Sequence, residues 1–210
     1  MGGDEGAFLS FFTFSNLQKL EDFFMSTMTN NTRKMAYIAI LSAVSFLLMF
    51  LQFPMFTDFL QVDFSIIPIL VGLLLFDMKS AFAILLLRSV LKILFKPELS
   101  TMIGMPMNIV ALGIFIVAFA LIWKKNQTAK NYVVASIVST ISLTGAMLFL
   151  NYVYALPLYM KLFNMTAENF GGIGHYLLAM VVPFNLVEGL MFSVVFYLAY
   201  LAMKPILKKV

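Results

Sequence analysis

Long apolar runs separated by short polar breaks dominate this chain. A membrane-crossing helix needs roughly 20 mainly apolar residues, within a range of about 17–25. Four runs reach that length. Met35–Phe56 is interrupted by Ser42, Ser45, Gln52 and Pro54, and Met102–Trp123 has Asn108 as its main polar member. Tyr132–Leu158 and Tyr176–Met203 complete the set. Between the first two, the break Asp77-Met78-Lys79 divides the sequence into shorter segments, Gln61–Phe76 and Ser80–Lys96. The pattern predicts six helices, hence an all-α, polytopic membrane bundle over residues 34–210.

Composition agrees. Hydrophobic residues make up 62% of the 210 positions and charged residues 11%, with a mean hydropathy of +0.97. Soluble domains are about 45–50% apolar and about 25% charged, so a polar-surfaced globule is excluded. Disorder is excluded too, since it needs low hydrophobicity and high net charge. The absence of cysteine rules out disulfides, thiolate metal sites and cysteine nucleophiles.

The formal charge of +4 is small, and its placement is informative. On a six-helix plan one side carries Lys19, Arg33, Lys34, Lys79, Lys124, Lys125, Lys130, Lys204, Lys208 and Lys209, ten of the 14 basic residues. The positive-inside rule then makes both termini cytoplasmic, which requires an even number of spans. Residues 1–33 read as a separate cytoplasmic or interfacial segment. Within it Phe8, Phe11, Phe12, Leu20, Phe23 and Phe24 recur at three- and four-residue steps beside Lys19, Glu21 and Asp22, the pattern of an amphipathic helix lying in the interface.

Several chemistries are missing. No G-x-x-x-x-G-K-[ST] phosphate loop occurs, so the chain does not hydrolyse ATP by that route. The single histidine, His175, follows Gly171-Gly172-Ile173-Gly174 and reads as a solvated loop residue among turn glycines. Neither a histidine metal site nor a serine nucleophile with its base is visible. No enzyme, metal or cofactor is expected.

What remains is a small set of polar groups inside apolar runs, where ionisable residues are costly and point to function. Arg88, Lys92 and Lys96 form one basic stripe on the third helix. Either they snorkel to the outer interface, or Arg88 pairs with a buried carboxylate such as Asp63 or Glu188. Helix six carries Asn185 and Glu188 on one face, between Pro183 and Gly189. Helix five carries Asn151 and Tyr154 near its outer end, and helix four carries Asn108. A lone asparagine would read as a helix–helix hydrogen bond worth about 1 kcal/mol. Three amides, a carboxylate and several tyrosines in the outer halves of three helices point instead to a shared ligand pocket. Amides suit a heteroaromatic edge or a polyol, and tyrosine and methionine walls suit a flat aromatic body. On helix one, Ala36, Ala39 and Ala43 give a small-residue face that serves either bundle packing or a partner helix.

Pro183-Phe184-Asn185-Leu186 with Glu188-Gly189, and Val62-Asp63-Phe64-Ser65 with Pro68, carry a family resemblance. Leu86-Leu87-Arg88-Ser89 and the alanine motif add to it. Over about Lys34 to Lys204 the chain resembles the substrate-binding S components of energy-coupling-factor (ECF) vitamin transporters, specifically the riboflavin-specific type. The resemblance implies a six-helix protein of the bacterial plasma membrane that binds riboflavin near the outer face, with riboflavin as transported ligand and not as cofactor. It implies a pocket lined by Asn108, Asn151, Tyr154, Asn185 and Glu188, with Asp63 nearby, under a lid bearing Leu60 and Val62. It implies docking of Ala36, Ala39 and Ala43 on a transmembrane coupling subunit served by two ABC ATPases, and no nucleic-acid partner. The alternatives are an S component for another vitamin and a stand-alone facilitator or secondary transporter.

Overall fold

A computed structural model describes residues 30–207 except 56 and 125. The amphipathic pattern within residues 1–29, and Lys125, Lys208 and Lys209, lie outside the described residues. The helices are α1 (Asn30–Leu48), α2 (Ile66–Leu75), α3 (Met78–Phe95), α4 (Leu99–Trp123) and α5 (Ala129–Leu150). A π turn over Asn151–Ala155 carries α5 into α6 (Leu156–Leu162). A 3-10 turn at Ala167–Phe170 precedes α7 (Ile173–His175), which passes through a second π turn, Tyr176–Val181, into α8 (Val182–Leu207). Counting α5–α6 and α7–α8 as single rods gives the six expected helices. Among the described residues three rods are long and apolar enough to cross a membrane by length and composition: Leu99–Trp123, Ala129–Leu162 and Ala167–Lys204.

One stretch departs from the sequence reading. The apolar run to Phe56 is not all helix: α1 stops at Leu48, and the chain forms an antiparallel hairpin of β1 (Gln52–Met55) and β2 (Thr57–Asp63). The second predicted helix accordingly begins at Ile66 and not at Gln61. Pro54 explains part of this, because it holds the preceding residue extended and lacks an amide donor for a helix. The β2 segment also alternates as a strand does, with Leu60 and Val62 buried and Gln61 exposed between them. The side chain of Asp63 then accepts from the backbone N–H of Ser65 at 2.8 Å, an Asx turn that ends the hairpin and starts α2.

Other boundaries follow local chemistry. The break at Asp77 is as expected: its carboxylate caps α3 by accepting from Ser80 N–H at 2.7 Å. Pro97 stops α3, with Lys96 held out of the helical region before it. The turn glycines Gly171 and Gly172 take positive φ angles of 69° and 92°, which only glycine adopts without strain. His175 is exposed, as expected.

From Ile38 onward the chain forms one unit. In it α2 packs on α3, α3 on α4, α4 on α5, α5 on α8, and α8 back on α2. One end of this ring is filled. Phe115, Phe119 and Trp123 of α4 meet Phe192 and Phe196 of α8, with Phe119 and Phe196 edge to face at 4.7 Å. Such pairs contribute about 0.5–1.5 kcal/mol each beyond the area they bury. Two serines on the spans satisfy their hydroxyls locally: Ser42 donates to Ile38 O at 2.7 Å and Ser89 to Leu85 O at 2.6 Å. Close approach of α5 and α8 depends on Gly189, where an added Cβ would lie 2.6 Å from Thr140 Cγ2 and 2.9 Å from Thr140 Cβ.

That crossing is testable. Gly189→Val is expected to cost about 1–3 kcal/mol through overpacking, read as a lower melting midpoint of the detergent-solubilised protein, and Thr140→Ala in the same chain should recover part of the loss. A Gly189→Val protein that melts with the wild type would refute the close crossing.

Candidate functional site

The opposite end of the ring holds a polar cavity of about 210 Å³. Its walls come from the last turns of α3, the first three turns of α4, the end of α5 with its π turn, and the start of α8, and β2 lies against it. Methionine and aromatic side chains (Met105, Met107, Met147, Tyr159, Tyr176 and Phe184) supply the apolar lining. Asp63, Lys92, Asn108, Asn151 and Glu188 supply the polar groups. At the rim Lys96 Nζ lies 3.5 Å from Glu98 Oε2, both side chains about half exposed.

Beneath the cavity lies a buried network. Arg88 is fully buried. Its guanidinium donates to Ser65 Oγ and to Asn108 Oδ1, and the Ser65 hydroxyl donates in turn to Asp63 Oδ1. Ser45 Oγ of α1 donates to the Ser65 carbonyl. Five elements (α1, the end of β2, the start of α2, α3 and α4) therefore meet around one cation. The carboxylates of Asp63 and Glu188 both act on it through space. With Lys92, which is 8% exposed, the site brings two basic and two acidic side chains together, and grouping opposite types reduces the cost of burying them in an apolar bundle.

The two expectations for Arg88 are thus resolved. Snorkelling fails because the side chain has no exposure, and its direct partners are a serine and an amide, with Asp63 reached through the serine. Lys96, by contrast, does extend to the rim.

A second pair closes the far wall. Asn151 opens the first π turn and Tyr176 opens the second. Tyr176 Oη donates to Asn151 Oδ1 at 3.1 Å, and Asn151 Nδ2 donates to Met147 O at 2.8 Å. Each π turn leads into a proline, Pro157 or Pro183. A proline lacks the N–H for the i→i−4 ladder, and a widened turn accommodates the break.

Of the residues singled out from sequence, Leu60, Asp63, Asn108, Asn151 and Glu188 come together in the cavity lining. Val62, Tyr154 and Asn185 do not line it. Val62 is buried with Leu60 and Phe184, and Tyr154 packs beside Tyr159 and Tyr176. Asn185 is fully buried and donates to Val181 O at 2.7 Å. Ala39 and Ala43 are exposed and Ala36 is partly so. Sequence reasoning passed over Ser65 and gave Tyr176 no role. The Asp-x-Ser spacing of an Asx turn signals the first. A tyrosine opening an otherwise apolar run is a weaker signal for the second.

Comparison with known proteins places this architecture. The family model for the ECF transporter, substrate-specific component, matches residues 33–200. The chain belongs to that family. Riboflavin transporter RibU of Streptococcus thermophilus is 56% identical over 191 residues, 90% of this chain and 89% of that protein. Riboflavin transporter RibU of Lactococcus lactis subsp. cremoris is 40% identical, over 80% of this chain and 91% of its own length. The solved S component of a bacterial ECF transporter superposes with a TM-score of 0.72 at 28% identity, covering 85% of this chain and 99% of that one. As an ECF substrate-specific component the chain is a transport protein and not an enzyme, and a multi-pass protein of the bacterial plasma membrane.

The Arg88 network yields a stability test. Arg88→Met removes the buried cation around which Ser65, Asn108 and, through Ser65, Asp63 are arranged and is expected to cost about 3–5 kcal/mol, measured as loss of thermal stability in detergent. Adding Asp63→Asn should restore part of it. An Arg88→Met protein as stable as wild type would show that the cation is not needed to hold these elements together.

Proposed function

We propose that this chain captures riboflavin in the cavity at one end of its bundle and delivers it across the membrane with a transmembrane coupling subunit and two ABC ATPases. The single observation that carries this reading is the coincidence of a polar, methionine- and aromatic-walled cavity with close similarity to riboflavin transporters. The isoalloxazine ring is flat and carries polar atoms along one edge. Tyr159, Tyr176 and Phe184 offer ring faces for its body, the methionines adapt to its outline, and the amides and carboxylates meet its edge and the ribityl hydroxyls. Asn108, Asn151, Asp63 and Glu188 hold the ligand on this reading. Leu60 covers it from the hairpin, while Val62, Tyr154 and Asn185 support the contacting residues from behind.

Capture is from outside. Lys79, Lys124, Lys130 and Lys204 all fall at the end of the bundle opposite the cavity, and the positive-inside rule puts that end in the cytoplasm together with both termini. The exposed Ala39 and Ala43, one turn apart on α1 beside Ala36, let a second helix approach closely, and this face docks the coupling subunit. The chain's lack of a phosphate loop fits a power source in separate subunits.

Purified protein is expected to show flavin absorbance, or to quench the fluorescence of added riboflavin. A colourless preparation that fails to quench would overturn the reading, and competition by other vitamins would show whether one of them is the cargo instead. Asn151→Ala should weaken riboflavin binding by about 1–3 kcal/mol, measured as Kd by fluorescence titration. Ala39→Trp should leave riboflavin binding intact and abolish assembly with the coupling subunit, measured by co-purification. Uptake into liposomes by this chain alone would favour a stand-alone facilitator.

A further inference from the structure

Two of the three amides that line the cavity, Asn108 and Asn151, are each held by a protein donor on the oxygen side. Arginine has five N–H donors and no acceptor, so the atom of Asn108 that faces Arg88 must be Oδ1, as found. In Asn151 the orientation is set from the other end. A backbone carbonyl only accepts, so the atom facing Met147 O is Nδ2, and Oδ1 turns to the hydroxyl of Tyr176. The surroundings leave no room for exchange: Arg88 is fully buried, Tyr176 is 2% exposed and Asn151 3%. Asn185, the third asparagine singled out from sequence, has Nδ2 engaged and Oδ1 without a partner among the described residues, and it lies outside the lining.

From this we infer that Arg88 and Tyr176 are positioning residues that fix Asn108 and Asn151 as hydrogen-bond donors toward the ligand, so that the cavity selects a ligand edge rich in acceptors at those two points. Both amide oxygens are engaged. The Nδ2 group of Asn108 and the second N–H of Asn151 Nδ2 have no acceptor among the described residues. Both amides line the cavity, so these N–H groups serve its occupant. On the riboflavin reading, on which this inference rests, the acceptors are the carbonyl oxygens and unprotonated ring nitrogens of the isoalloxazine. The carboxyl groups of Asp63 and Glu188, whose oxygens accept hydrogen bonds, are left for the ligand's own N–H and hydroxyl donors.

Selectivity follows from the asymmetry between making and losing a buried hydrogen bond. A ligand that places a donor opposite either amide leaves two donors facing each other in a largely buried site, and the amide cannot flip because its far side is occupied. Neither Arg88 nor Tyr176 needs to touch the ligand for this. Each acts through the amide it holds, Arg88 from beneath the cavity and Tyr176 across the wall formed by the two π turns.

Four proteins test it by riboflavin titration against wild type. Asn108→Asp keeps an oxygen toward Arg88, and so keeps the network, but replaces the donor with an acceptor. It should bind riboflavin at least about tenfold more weakly, the scale of one lost hydrogen bond, while melting no lower than wild type. Tyr176→Phe removes one hydroxyl and should weaken binding by about tenfold on the same scale. In the Asn151→Ala background the Tyr176→Phe change should have no further effect, since its role passes through Asn151. Additive losses in the double variant would mean that Tyr176 acts on the ligand by itself, and unchanged Kd values for Asn108→Asp and Tyr176→Phe would overturn the donor assignment. Every comparison is made against wild-type protein that binds riboflavin, so failure here is distinct from failure of the riboflavin reading.

Discussion

A guanidinium sealed inside an apolar bundle has to be answered by hydrogen bonds, and the cavity end of this protein is organised around that requirement. Arg88 has no exposure, so water cannot serve its donors. The partners are Ser65 and Asn108, with Asp63 behind the serine. Because those partners sit on different elements, holding the two terminal nitrogens of one guanidinium also fixes the end of the hairpin, the start of α2 and the first turns of α4 relative to α3. The network that stabilises the charge is the same network that orients a cavity amide.

The two ends of the bundle solve different physical problems. At one end, phenylalanine and tryptophan rings from α4 and α8 fill the interior by edge-to-face packing, which gives rigidity without polar groups. At the other end the interior is left open, and the helices depart from regular geometry. Two π turns, each followed by a proline, bring Asn151 and Tyr176 together at 3.1 Å. A regular helix would place its backbone donors and acceptors internally and its side chains at fixed angular steps. The widened turns shift that registry where the cavity wall needs it. The hairpin adds a backbone segment able to carry Leu60 and Asp63 to the same space, a placement that a continuing α1 helix would not provide.

What the family relationship adds is consistent with this division. A subunit that captures a small molecule and leaves energy conversion to partners needs a selective cavity, a surface for docking and no nucleotide site. The exposed alanines of α1 lie on a different helix from any that supplies a cavity wall, so the two surfaces can be altered separately.

Several features were legible in the sequence because they depend on composition and local spacing. The six helices follow from the lengths of apolar runs and from the polar break Asp77-Met78-Lys79. Candidate residues such as Asn108, Asn151 and Glu188 stood out because polar groups are costly in such runs. The hairpin was not legible as a strand pair, since Met35–Phe56 is mainly apolar and hydropathy alone does not distinguish a helix from a strand; only Pro54 and the alternation of Leu60, Gln61 and Val62 carried the signal. Which polar residues face the cavity was decided by tertiary structure alone. Asn185 and Glu188 lie three residues apart on one helix, yet Glu188 lines the cavity and Asn185 turns its amide to the Val181 carbonyl. The partners of Arg88 and the pairing of Asn151 with Tyr176 join residues 20 to 25 positions apart. No local pattern encodes such contacts, because they exist only once packing has set the distances between helices.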